Sequence, residues 1–86
     1  MRSRAPWWIK ERHNPQTGTR FIAVGQLPVR VAKLQEAPLY GMNTLHKYPT
    51  KKAYEDSINN LISRGERVYG ESGGRIMGTY HVGANT

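Results

Sequence analysis

Cysteine is absent from this 86-residue chain, which excludes a disulfide scaffold, thiolate metal ligation and thiol catalysis. Acid is scarce: six Asp and Glu stand against thirteen Lys and Arg, a formal net charge of +7. Histidine occurs only at His13, His46 and His81, without the H-x-x-x-H or carboxylate spacing that zinc or iron needs, so no metal site and no cofactor are expected. Ser3, Ser57, Ser63 and Ser72 sit in no nucleophile elbow, and GESGGRIMG lacks the Walker pattern and reads as a plain turn. Long apolar runs are missing as well: nothing approaches the ~20 residues of a membrane span, and the opening MRSRAPWWIKERH has no signal-peptide core. The expectation is a cytoplasmic, non-enzymatic chain with no membrane partner.

What is present makes one small domain. Trp7, Trp8, five Tyr and Phe21 supply a core, and hydrophobic residues make up 37% of the chain, a globular composition. A chain this short buries a modest share of its surface and has a thin stability margin. A large enclosed active site does not fit that size.

The positive charge is concentrated in the first half. Residues 1–35 carry Arg2, Arg4, Lys10, Arg12, Arg20, Arg30 and Lys33 against Glu11 alone, whereas the remaining 51 residues carry six bases and five acids. Such asymmetry is the footprint of a polyanion, nucleic acid above all, or of an acidic protein surface.

The stretch ERHNPQTGTRF sharpens that reading. WWIKERH alternates as a strand does, Asn14 and Pro15 open a turn, Gly18 supplies the left-handed conformation that closes it, and TRFIAVG returns. The resulting register pairs His13 with Thr19, Arg12 with Arg20, Glu11 with Phe21, Lys10 with Ile22 and Trp8 with Val24. Two guanidinium groups therefore face each other at the hairpin tip, a like-charge pair that costs stability unless something negative sits between them. Trp7 and Trp8 point to opposite faces, and both join a core only if both faces are covered. Otherwise Trp8, beside Lys10 and Arg12, is an exposed stacking platform or interface anchor. Glu11 and His13 share a face and form a candidate acid–base pair, although no accompanying catalytic set is visible.

Beyond the hairpin, LPVRVAKLQEA reads as a short helix with Pro28 at its first position and Leu27, Val31 and Leu34 at helical spacing. YGMNTLHKY is a strand ending before Pro49. Thr50 caps a second helix over KKAYEDSINNLISR, whose apolar stripe is Tyr54, Ile58, Leu61 and Ile62 and whose stop is Gly65. ERVYG and RIMGTYHV are two more strands. The predicted architecture is an α+β single domain with an N-terminal β-hairpin, two helices and a largely antiparallel sheet, in the order β-β-α-β-α-β-β. Residues 1–6 form a flexible basic arm, 7–83 the domain and 84–86 a tail. Lys51 and Lys52 open the second helix, where they either hold an anion or are neutralised by Glu55 and Asp56 four residues on.

Two functions suit this pattern. The first is a nucleic-acid-binding module whose phosphate contacts come from Arg2, Arg4, Lys10, Arg12, Arg20, Arg30, Lys33, Lys51 and Lys52, with Trp8 stacking. The second is a small inhibitor or accessory protein of the kind bacteriophages encode, docking a basic hairpin and an exposed Trp on an acidic surface of a larger protein.

Overall fold

A computed structural model describes residues 5–34, 42–72 and 75–80. The chain runs β1 (Trp7–Asn14), β2 (Gly18–Gln26), α1 (Val29–Lys33), β3 (Met42–Tyr48), α2 (Lys51–Ser63), β4 (Val68–Ser72) and β5 (Arg75–Thr79), the predicted order. The five strands make one sheet in the order β3-β1-β2-β4-β5. Every neighbouring pair is antiparallel except β2 and β4, which run parallel.

The tip of the first hairpin forms as its turn chemistry dictates. The Asn14 side-chain Oδ1 accepts the backbone N–H groups of Gln16 and Thr17 at 2.8 and 3.2 Å, and Gly18 has φ +88°. His13 pairs with Thr19, Arg12 with Arg20, Glu11 with Phe21 and Lys10 with Ile22. Beyond that point the register departs from expectation: Ile9 pairs with Ala23 but Trp8 pairs with Gly25, leaving Val24 as the extra residue of a β-bulge. Gly25 explains the slip, since its φ of +95° is a conformation that residues with a Cβ avoid and that interrupts a regular ladder. At the base the chain is tied down, because Leu27 N–H donates to Pro6 O at 3.1 Å and Gln26 Nε2 donates to Ala5 O at 2.9 Å. Ala5 and Pro6 thus belong to the domain rather than to a free arm, while Arg2 and Arg4 lie outside the described residues.

Helix α2 supplies the core of one sheet face. Thr50 Oγ1 accepts Ala53 N–H at 3.1 Å to cap its start, and at its end Glu66 N–H donates to Leu61 O and Gly65 N–H to Ile62 O, each at 3.0 Å. Tyr54, Ile58 and Leu61, at intervals of four and three, are buried with Ile9, Ala23 and Val68. Trp7, Phe21, Tyr48 and Tyr80 pack around them, with the Trp7 and Tyr54 rings 5.1 Å apart. Ile58 and Val68 are fully buried, and each such side chain contributes roughly 1.5–3 kcal/mol. Ile62 does not join the stripe: it lies on the flank of the helix and is exposed.

The opposite face is also covered. Trp8 is only 6% exposed and its indole Nε1–H donates to Leu27 O at 2.8 Å, while Trp7 packs half-buried against the α2 core: of the two outcomes open to the pair, both tryptophans are packed and Trp8 offers no stacking platform. Ile22 and Ala32 are buried as well. In α1, Pro28 is the N-cap rather than the first helical residue, and the helix ends at Lys33. Leu34 falls beyond its last turn and is exposed, which is why Ala32 is the buried residue of this segment.

Candidate anion-binding site at the hairpin tip

The alternation of β1 and β2 puts Trp8, Lys10, Arg12, Arg20 and Ile22 on one sheet face, and the sheet order then separates residues that look alike in sequence. Lys10 lies mid-strand, 8% exposed, and its Nζ is 3.3 Å from Glu71 Oε2 on β4. The expectation that Lys10 offers its charge to a phosphate fails for that reason: the ammonium is buried and neutralised inside the domain. Arg12 and Arg20 lie further toward the tip, beyond the reach of that carboxylate.

The two arginines are direct cross-strand partners, and among the described residues no acid forms an ion pair with either. Arg20 is exposed and its guanidinium carbon sits 5.9 Å from the centre of the Tyr69 ring on β4, a cation–π contact that holds the charge in place without cancelling it. With Asn14, Thr17 and Gly18 they line a pocket of about 200 Å³. The pocket is a set of donors. Both guanidinium groups donate, Thr17 offers a hydroxyl, and Asn14 has its Oδ1 occupied by two backbone N–H groups, which leaves its NH2 for a ligand. Nothing in the lining carries negative charge.

The other predicted contacts are dispersed. Arg30 and Lys33 are exposed on α1, which begins at the base of the hairpin. Trp8, at that base, and Asn14, at the tip, are six residues apart on β1, roughly 20 Å at ~3.3 Å per residue. Lys51 and Lys52 are exposed on α2 and sit in i, i+4 pairs with its own acids, 4.0 Å from Glu55 and 3.0 Å from Asp56. The tip pair is what remains of the expected surface as a formed pocket.

Three contributors were not anticipated. In the sequence Asn14 reads as a turn former and Thr17 carries no assigned role, although the place of both between the arginines is visible in the turn itself. Tyr69 had no such signal, because its place beside Arg20 depends on parallel pairing of β2 with a strand more than forty residues away.

A second polar cluster lies on the α2 face. His46 Nε2 is 2.9 Å from Glu11 Oε1, and His13 Nε2 is 3.5 Å from Glu11 Oε2. The histidines are therefore not all scattered. Because β3 pairs with β1 so that His46 opposes Ile9, it reaches Glu11 diagonally, while His81 lies outside the described residues. The two imidazoles approach different carboxylate oxygens, and among the described residues no three such side chains are grouped to hold a metal ion. An adjoining cavity of about 260 Å³ includes His46, Tyr48, Ser57 and Arg64. There the Ser57 hydroxyl is hydrogen-bonded to the Tyr48 phenol at 2.8 Å, not to a histidine that would activate it.

Among the described residues, no helix is long and apolar enough to cross a membrane. No protein-family model, curated protein or solved structure matches the chain.

Proposed function

We propose that this chain is a small, non-enzymatic nucleic-acid-binding module that grips backbone phosphate with the tip of its first hairpin. The observation that carries the reading is the direct opposition of Arg12 and Arg20 with no acid paired to either among the described residues. Like charges placed across a strand pair cost a few tenths of a kcal/mol to about 1 kcal/mol. A phosphate between them converts that cost into two charge-assisted contacts. Base reading plays a small part, because no recognition helix presents polar side chains to a groove, so the module binds with weak sequence preference. It is a cytoplasmic protein in this reading, with no cofactor.

The competing reading, a phage-type inhibitor that docks by its basic hairpin with Trp7 or Trp8 as anchor, has less to support it, since Trp8 is buried and Trp7 is half-buried against the core. The two are separated by salt. Binding to duplex or single-stranded oligonucleotides should fall linearly on a log–log plot, with a slope near 0.9 per phosphate contacted on duplex DNA. Absence of measurable binding to any oligonucleotide at low salt would reject the module.

A further inference from the structure

We propose that the pocket between Arg12 and Arg20 recognises the terminal phosphomonoester of a nucleic-acid strand in preference to the diester phosphates along it. This inference rests on the nucleic-acid reading and narrows it to one chemical group.

Charge is the first argument. The pocket presents two guanidinium groups and no carboxylate. A backbone diester is a monoanion and leaves one of those charges unmatched. A terminal monoester carries about −1.5 to −2 near neutral pH, because its second ionisation lies near 6. Two cations on directly paired strand positions, both lining one pocket, are matched by the dianion.

Donor count is the second. A monoester has three terminal oxygens where a diester has two. Arg12, Arg20, the Thr17 hydroxyl and the Asn14 NH2 supply donors from both strands and from the turn between them, and the Asn14 oxygen, the one strong side-chain amide acceptor there, is already held by the Gln16 and Thr17 N–H groups. The site therefore offers hydrogen bonds almost without competing acceptors, the pattern an oxygen-rich anion needs.

Size is the third. About 200 Å³ is below the roughly 300–1,000 Å³ of sites that enclose a whole small molecule. One water needs only about 10–15 Å³ of such space, so there is room for a phosphoryl group and several waters. Base and sugar stay outside, so the site reads a strand end without reading its sequence. Arg20 is held against Tyr69, which leaves less side-chain freedom to lose on binding.

Fluorescence anisotropy with one short single strand, made with a 5′-phosphate, a 3′-phosphate or hydroxyls at both ends, tests this at fixed salt. At least one phosphorylated strand should bind about tenfold more tightly than the hydroxyl strand, the size of one added charge-assisted hydrogen bond, and the 5′ and 3′ arms identify which end is read. The preference should shrink below about pH 6, where the monoester becomes a monoanion. Asn14→Asp keeps an oxygen for the turn while placing a negative charge in the pocket, and should abolish the preference with the thermal melt unchanged. Arg20→Thr should do the same. If Asn14→Asp lowers the melt, Arg20→Thr with an intact melt decides. Equal affinity for all three strands would overturn the inference and leave the nucleic-acid reading standing. Failure of every strand to bind would overturn both. Tighter binding to a phosphoserine peptide than to the phosphorylated strand would also overturn it.

Discussion

Lys10 and Arg12 are two residues apart on one face of one strand, and they meet opposite fates. Lys10 is sealed between strands against Glu71, both side chains at about a tenth of full exposure. Arg12 is half-buried, faces a second arginine and has no acid in partnership among the described residues. Local sequence does not make this difference, since both belong to the run KER. It is made by how far β4 extends beside β2: the parallel pairing covers Phe21 to Ala23 and stops short of Arg20. Charge in the middle of the sheet has become structure. Charge at the tip has no acid paired to it among the described residues.

The comparison breaks most visibly in the middle. Glu71→Ala leaves a buried ammonium without its carboxylate and should cost about 3–5 kcal/mol in a denaturant titration, whereas Lys10→Met with Glu71→Leu should recover most of the loss. Equal stability of the single variant and the parent would mean that the Lys10–Glu71 pair contributes nothing. Slightly smaller is Ile58→Ala on the α2 side of the same region, expected to cost about 2–5 kcal/mol through the cavity it leaves. An unchanged melt there would mean that α2 does not hold the sheet.

Alkali probes the middle without a deletion. Burial, then the neighbouring Tyr80 and Glu55, pushes the Tyr54 phenol above its ordinary value of 10.0. The unfolded chain therefore releases this proton near pH 10 while the folded chain keeps it, so the folded state binds more protons there and stability falls as pH rises above about 10. Tyr54→Phe should flatten the fall above about pH 10, in part only, because the Tyr80 phenol is also raised, first by burial. Identical pH profiles for the two proteins would remove Tyr54 from the account.

The smallest stability effect belongs to the tip. Arg20→Thr removes a like-charge pair and inserts a good strand former, so the melt should stay level or rise slightly. The same variant should weaken oligonucleotide binding and lower the salt slope by about one, as should Arg12→Thr. A large loss of stability would show that Arg20 is structural, and an unchanged slope in both variants would show that neither touches phosphate.

Much of this was legible where structure is local. Asn14, Pro15 and Gly18 specify the turn, and the turn alone dictates that Arg12 meets Arg20. Thr50, the 54–58–61 spacing and Gly65 specify α2 in the same way. What escaped depends on elements far apart in the chain. Val24 and Gly25 look like ordinary strand residues until a positive φ turns them into a bulge. Glu71 and Tyr69 could not be assigned to Lys10 and Arg20 because nothing in a hairpin says which strand lies beyond it. Whether both tryptophans pack is not legible from the strand alone, because nothing in the sequence gives the docking direction of the segment that brings Leu27 O to the Trp8 indole.

The parallel joint between β2 and β4 has a kinetic side. Phe21 with Val68, Ile22 with Tyr69 and Ala23 with Gly70 are its register pairs, each spanning 47 positions of chain. The antiparallel pairs β1–β2 and β4–β5 are closed by shorter loops and are expected to form before this joint, which needs the closure of a long one. On that order Tyr69 should reach Arg20 late in folding, and amides along the joint should exchange with solvent through openings that leave the β1–β2 turn intact.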